Sequence, residues 1–237
     1  MADSVSRKTT GPASRWLCRA GRYGLVLDTV LTAVLVFSLT RLALALRVGS
    51  EADWTLGTFA SVAVLGLLYD LTTALLLALP FGLWLTVLPE YWTRFRVTRL
   101  LIGLAVASGI FALLFNAAAE WLFWGEFSSR FNFIAVDYLI YTNEVIGNIR
   151  ESYPAGWILG GLGGLALLGT FTVRQRVMQR LAMITSLKSR LTGLAIHALL
   201  ALGFLAVVSG DARETLRNVY ARELAGNGPF EVVRAFK

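Results

Sequence analysis

Five long apolar blocks place the strongest constraint on what this chain of 237 residues can fold into. A helix needs about 20 apolar residues to cross a hydrocarbon layer of about 30 Å. Because lipid offers no partner for an open backbone group, each block is expected to be helical. The sequence therefore predicts an all-α integral membrane protein with five transmembrane helices. The blocks run Leu25–Leu46, Thr58–Leu88, Leu100–Trp124, Trp157–Val173 and Leu191–Val208.

Composition and block order divide the chain into three parts. The chain is 56% hydrophobic and 16% charged, with a mean hydropathy of +0.64. Residues 1–24 form a basic N-terminus, and residues 25–208 form the five-helix module, which contains a loop at 125–155. Residues 209–237 are too few for a folded domain with its own core, and we expect them to be a connector.

Lysine and arginine residues predict the orientation of the bundle, because cytoplasmic loops carry the excess of positive charge. They concentrate before the first block and in the second and fourth loops, which places the N-terminus inside and the C-terminus outside. The net charge of +7 then reflects this signal and attraction to anionic lipid rather than nucleic-acid binding. The residues concerned are Arg7, Lys8, Arg15, Arg19, Arg22, Arg94, Arg96, Arg99, Arg174, Arg176, Arg180, Lys188 and Arg190.

Arg41 and Asp70 are the intramembrane polar residues that matter most, because a charge in mid-helix costs about 2.5–3.5 kcal/mol on insertion scales. The second block is longer than a membrane requires, so Asp70 lies near the midplane if the span is Thr58–Leu79. It lies near the outer surface if the span is Leu67–Leu88 with a kink at Pro80. The second frame is preferred because it places aromatic residues at the inner interface, and it predicts an Asp70–Arg41 pair. That pair either joins the first two helices or borders a lipid headgroup site.

Two further features bear on partners. Gly156, Gly160 and Gly164 recur at the four-residue interval that lets helix backbones approach closely in lipid. This spacing indicates helix packing, either within the chain or between two copies in a homodimer. His197 is the sole histidine and has no second metal-ligating side chain near it in sequence, so no metal is predicted in this chain.

The loop between the third and fourth blocks is richer than a connector needs. On a helical wheel, its polar residues from Arg130 to Glu151 fall within one arc, beside a broad apolar arc. The pattern predicts an amphipathic segment on the outer face, which either covers the bundle or brings arginines to lipid phosphate. The candidate headgroup residues are Arg130, Asp137, Glu144, Asn148 and Arg150.

Three stretches resemble the membrane region of bacterial lipoteichoic acid synthase-like proteins, which are phosphoglycerol transferases and related sulfatase-type enzymes of the alkaline phosphatase superfamily. They are RFNFIAVDYLIYTNEVIGNIRESYP from Arg130 to Pro154, LLYDLTTALLLALP from Leu67 to Pro80, and RELAGNGPFEVVRAFK from Arg222 to Lys237. The resemblance implies a large extracytoplasmic domain after the last helix. That domain would carry a threonine nucleophile and a divalent metal such as manganese. None of its catalytic motifs occurs here, so no catalytic residue is assigned and the chain alone is expected to be inactive.

These observations favour a membrane-anchoring module in the bacterial cytoplasmic membrane. Its expected partners are membrane phospholipids, above all phosphatidylglycerol, and a catalytic domain missing from this sequence. The alternatives are a stand-alone accessory subunit and a small transporter, although the sequence has few of the midplane polar groups that transporters use.

Replacing Arg130 and Arg150 together with Gln tests the headgroup hypothesis for the loop. Because two positive charges are removed from the outer face, binding to vesicles that contain anionic lipid is expected to weaken. Unchanged vesicle binding by a folded variant would reduce the loop to structural cover.

Overall fold

The computed structural model describes residues 21–140, 147, 151–208 and 212–235. Helices dominate this part of the chain, and no strand occurs in it. Short 3-10 turns at Gly21–Tyr23, Gly49–Ala52, Glu90–Arg94 and Ala212–Thr215 flank or connect the helices. The helices are α1 (Gly24–Val48), α2 (Leu56–Val87), α3 (Arg96–Phe127), α4 (Phe133–Ile140), α5 (Ala155–Ala182), α6 (Leu187–Val208), α7 (Val219–Ala225) and α8 (Gly228–Ala235).

Among the described residues, five helices are long and apolar enough to cross a membrane, namely α1, α2, α3, α5 and α6. Each contains one of the predicted apolar blocks almost entirely. The largest difference is at α5, which continues to Ala182 rather than stopping at Val173. Its last turns carry Arg174, Arg176 and Arg180, and positive charge is favourable at the C-terminal end of a helix dipole. Helix α5 therefore continues beyond its apolar block.

Helix α2 lies at the centre of the bundle, packed between α1 and α6, while α3 and α5 pack on each other and reach the rest mainly through α1. Phe37, Leu85 and Ile102 are almost fully buried in the shared apolar core. Half of the most apolar window of α2 is buried, compared with 6% in both α3 and α5. The bundle thus has a buried central helix and an outer α3–α5 layer with a wide apolar surface.

The glycine stripe of α5 does not mediate close packing inside the described chain. A Cβ atom built on Gly156, Gly160 or Gly164 would meet nothing within 4 Å. Packing within the chain is therefore not the reason for this spacing in the described structure. Packing against a second copy stays a prediction.

The bundle has two unlike ends, and one of them, called here the basic end, comprises residues 21–23, 88–95 and 183–190. Arg22 donates to the Leu88 carbonyl at 2.8 Å, and Arg190 donates to the carbonyls of Thr86 and Leu88 at 3.0 and 2.5 Å. These carbonyls are among those that a helix end leaves without a backbone partner. Two buried guanidinium groups therefore close the end of α2.

His197 holds α6 against α2 near the proline. Its Nε2 lies 2.9 Å from the Leu75 carbonyl, and its Nδ1 lies 3.2 Å from the Tyr23 hydroxyl. Pro80 has no N–H, so the carbonyl of Leu76, four residues before it and next to Leu75, lacks its usual backbone donor. His197 is therefore a hydrogen-bonded residue of α6.

The opposite end is called here the capped end, because residues 212–235 lie across it. Helix α7 packs on α2 and α1, and α8 packs on α4 and α2. This C-terminal segment, residues 219–235 in α7 and α8, is called the tail. A second apolar cluster forms beneath it, with Leu44, Trp124 and Leu224 buried together.

Candidate functional site

Two buried ion pairs lie beneath the tail at the capped end. Arg41 of α1 contacts Asp70 of α2 with Nη2 and Oδ1 2.5 Å apart, and Arg130 contacts Glu120 of α3 with Nη2 and Oε2 also 2.5 Å apart. Asp70, Glu120 and Arg130 are 0% exposed and Arg41 is 7% exposed. The ion pair predicted between Arg41 and Asp70 is therefore present, and a second pair accompanies it.

The first pair depends on a glycine that lets two helices approach. A Cβ atom on Gly66 would lie 2.3 Å from Cζ of Arg41, so only glycine leaves room for the guanidinium. Arg41 Nη2 also donates to the Gly66 carbonyl at 2.8 Å. On the other side, the Ser38 hydroxyl donates to Asp70 Oδ2 at 3.3 Å. Neighbouring turns of α1 and α2 thus hold both members of the pair.

The second pair closes the turn that follows α3. Ser128 adopts a left-handed conformation with φ of 51°, a common way to end a helix, and the chain reverses there. Arg130 then points back at α3, and its Nε and Nη2 donate to Glu120 Oε2 at 2.7 and 2.5 Å. Asn116 donates to the other oxygen, Oε1, at 2.8 Å. Two donors on one carboxylate oxygen fix the direction in which the chain leaves α3.

Both arginines meet at one backbone carbonyl of the tail. Gly226 O accepts from Arg41 Nη1 at 2.9 Å and from Arg130 Nη1 at 2.6 Å. Arg41 Nη1 also donates to the Leu224 carbonyl. Since α7 ends at Ala225, these carbonyls belong to a helix end that needs donors. The charged groups of the bundle therefore cap the first helix of the tail.

The next two residues complete the contact. Asn227 is fully buried, and its Nδ2 donates to Asp70 Oδ1 at 2.8 Å while its Oδ1 accepts from Phe230 N at 3.3 Å. The same side chain thus joins Asp70 and caps α8. A Cβ atom on Gly228 would lie 2.4 Å from Glu120 Oε1, so glycine is required for this approach. We call the four charged residues with Gly226, Asn227 and Gly228 the buried cluster.

Two carboxylates of the tail make further contacts with the rest of the chain. Glu223 Oε2 accepts from the backbone N–H of Arg130 at 3.1 Å, and Glu231 pairs with Arg213 at 2.9 Å. Burial raises the pKa of Glu231, although Arg213 and Arg234 act in the opposite direction. An aromatic contact between Phe230 and Tyr69, with ring centroids 5.2 Å apart, adds an apolar anchor.

The buried cluster can hold a polypeptide segment but has no described reactive group. Its two arginines and two carboxylates balance in charge, and each guanidinium is shared between a carboxylate and carbonyls of the tail. Buried charges are costly unless their hydrogen-bonding capacity is used in this way. Among the described residues, no group of three or more His, Cys, Asp or Glu side chains could hold a metal ion. The contacts of the cluster hold the tail against the bundle.

Arg130 does not lie where the helical wheel placed it. It lies in the turn before α4, and it is fully buried rather than displayed on an exposed polar stripe. The physical reason is that Glu120 is buried and would be a costly unpaired charge if Arg130 pointed to the outer surface instead. Replacing Arg130 with Gln would unpair Glu120, so the Arg130–Arg150 double variant also changes folding.

Of the other candidate headgroup residues in the loop, only Asp137 lies in the described part of the chain. Asp137 is exposed on α4. Glu144, Asn148 and Arg150 lie outside the described residues. Their contact with lipid headgroups stays a prediction.

Sequence reasoning missed Glu120 and the role of Asn227. Glu120 lies within an apolar block and was overlooked there. A lone carboxylate in a membrane span is itself a signal, because burying its charge without a partner costs free energy. Asn227 lies between two glycines and precedes Pro229, which reads as a turn. Its partner Asp70 is 157 positions away, and no local pattern reports a contact over that separation.

Comparison of the chain with protein-family models, with curated proteins and with solved structures finds no match. The family expected from the sequence is therefore supported only by the residues that carry the resemblance.

A double-mutant cycle on Glu120 and Arg130 tests the buried cluster. Glu120→Met and Arg130→Met are each expected to lower the free energy of unfolding by about 3–5 kcal/mol, because each leaves one charge buried without its partner. The double variant should lose clearly less than the sum of the two. Unfolding in a detergent titration, followed by tryptophan fluorescence, measures all four proteins.

Arg222→Met is the matched control, since Arg222 forms a partly exposed pair with Glu214 at 2.9 Å. Such pairs contribute about 0–1 kcal/mol. Strictly additive losses at Glu120 and Arg130, or losses no larger than that of the control, would contradict the account of the cluster.

Proposed function

We propose that this chain is the membrane module of a lipoteichoic acid synthase-like phosphoglycerol transferase or related sulfatase-type enzyme. In this proposal the five helices lie in the bacterial cytoplasmic membrane with the basic end inside and the capped end outside. The module anchors a catalytic unit at the outer face, where that unit acts on phospholipid headgroups. The tail is the segment through which the unit is held.

One observation carries the proposal: the three stretches that bear the resemblance meet in the buried cluster. Asp70 comes from the stretch Leu67–Pro80, Arg130 from the stretch Arg130–Pro154, and Gly226 and Asn227 from the stretch Arg222–Lys237. They are far apart in sequence, yet Gly226 O lies within 2.9 Å of both arginines and Asn227 bonds Asp70. Residues that resemble one family in three separate places thus act as one structural unit.

The geometry of the tail suits an anchor. A flexible tether would let a catalytic unit drift relative to the membrane, whereas a segment fixed by buried hydrogen bonds holds its orientation. The tail leaves the bundle through α8, whose Gly228 and Glu231 are buried while Val233 is exposed. A unit attached beyond α8 would therefore start from a fixed position at the capped end.

Charge supports the orientation. Arg94 is exposed at the basic end, Arg96 and Arg99 are exposed in the adjoining first turn of α3, and Arg174 and Arg176 are exposed in the last turns of α5. Positive charge of this kind marks the cytoplasmic side of membrane proteins. Exposed acidic residues, including Glu51 and Asp53, lie at the capped end, which is opposite to the basic end.

The proposal is tested on protein extracted in mild detergent from its native membrane, by means of a tag at Met1. This preparation is expected to release diacylglycerol from labelled phosphatidylglycerol in the presence of manganese, because the catalytic unit remains attached. The purified 237-residue chain should release none. Headgroup release by the 237-residue chain alone would contradict the anchoring role, and so would an inactive native preparation. Activity that separates from the tagged chain on further purification would instead assign an accessory subunit.

A further inference from the structure

A groove runs along the first half of α2 at the capped end, beside residues 212–221. Its upper part is a cavity of about 540 Å³ that contains the charged side chains of the groove. Hydroxyl and amide groups line this part, together with one carboxylate and one guanidinium. Its polar residues include Asp53, Thr55, Thr58, Ser61, Arg217 and Asn218.

The lower part of the groove is apolar. A second cavity of about 530 Å³ shares Ser61 and Thr215 with the first and is otherwise lined by Ala60, Val64 and Leu65. The two cavities therefore adjoin each other, with the charged side chains in the upper one and only Ser61 and Thr215 as polar side chains in the lower one. A ligand that fills the groove must have the same division.

The depth of the groove matches the border of the hydrocarbon. At about 1.5 Å per residue, the stretch of α2 from Leu85 to Leu65 is about 30 Å long, which is the thickness of a hydrocarbon core. Trp84 marks one interface of this frame, as interfacial tryptophans do. Leu65 then lies at the opposite interface, and Thr58 lies about 10 Å above it, at the level of the headgroups.

Arg217 provides the charge in the upper groove. It is exposed, and among the described residues it takes part in none of the ion pairs. The nearby carboxylates are occupied. Glu214 pairs with Arg222, and Glu51 accepts a hydrogen bond from Tyr220, which raises the pKa of that phenol.

Asp53 is the one acidic group in the lining, and it limits which ligand fits. Its Oδ2 accepts from Asn218 Nδ2 at 2.8 Å, so it is held in place and still has acceptor capacity. A ligand must therefore bring an anion to Arg217 and a hydrogen-bond donor to Asp53. A phosphate that carries a hydroxylated substituent has both.

We propose that this groove binds the headgroup of a membrane phospholipid, with a phosphoglycerol headgroup between Arg217 and Asp53 and the first part of an acyl chain against Val64 and Leu65. The proposal rests on the membrane placement given under the proposed function, but it does not require a catalytic unit. The Ser61 hydroxyl supplies a further donor to the phosphate, and the Thr55 and Thr58 hydroxyls, which share a hydrogen bond at 3.0 Å, supply one more between them. A soluble phosphate would leave the apolar part of the groove empty, so the structure favours the lipid.

The test measures lipid adducts on the 237-residue chain by native mass spectrometry, with dioleoylphosphatidylglycerol titrated into the detergent. Arg217→Gln is expected to weaken the first binding step by about tenfold, because a charge-assisted hydrogen bond to phosphate is lost. Arg217→Lys should keep most of the affinity. Ser61→Trp should also abolish this step, since the new side chain fills the point where the two cavities meet and changes no charge.

Two controls make the result decisive. Arg94→Gln removes the same charge from the basic end and should leave the first binding step unchanged. Dioleoylphosphatidylcholine, whose headgroup has no donor for Asp53, should bind at least about fivefold more weakly than phosphatidylglycerol. The proposal is overturned if Arg217→Gln binds like the native chain or if Arg94→Gln loses as much. It is equally overturned if phosphatidylcholine binds as well as phosphatidylglycerol, or if inorganic phosphate at millimolar concentration displaces the lipid. None of these outcomes bears on diacylglycerol release by the native preparation, so the two proposals fail separately.

Discussion

The structure depends on the sharing of one backbone carbonyl, that of Gly226, between two buried arginines. Each arginine brings a positive charge into the bundle and each has a carboxylate beside it. A bare ion pair in such a place recovers only part of the cost of removing two charges from water. Other guanidinium protons find acceptors at the end of α7, and Asp70 Oδ1, which pairs with Arg41, also accepts from Asn227. Charge burial in the bundle and docking of the tail are therefore a single requirement.

This requirement also joins the two layers of the bundle. Arg41 and Asp70 belong to the central helices α1 and α2, whereas Glu120 and Arg130 belong to the outer helix α3 and the turn after it. The outer layer reaches the rest of the bundle mainly through α1, and most of its apolar surface faces outward. Because Gly226 accepts from both arginines, the tail ties these layers together at the capped end. A change in either ion pair is expected to reach the tail.

The sequence predicted the five helices and the Arg41–Asp70 pair, because both follow from local physical chemistry. Apolar blocks of sufficient length indicate membrane helices, and a buried carboxylate needs a cation within reach. The role of Arg130 was misjudged because a helical wheel assumes that a segment is helical throughout, whereas Ser128 reverses the chain and directs Arg130 at Glu120. Asn227 could not be assigned, since its contact with Asp70 depends on how the tail folds back over α2. The glycine spacing of α5 was visible, but its partner could not be read from one sequence.

The most direct test of the account is hydrogen exchange of the tail in the native chain and in the Asn227→Ala variant. If the tail is fixed by the buried cluster, backbone amides of α7 and α8 should exchange at least about 100-fold more slowly than those of an unstructured chain. In the variant that protection should fall sharply, while peptides from α6 keep theirs. Rapid exchange of the native tail, or equal protection of the tail in both proteins, would contradict the central claim that the buried charges hold the tail in place.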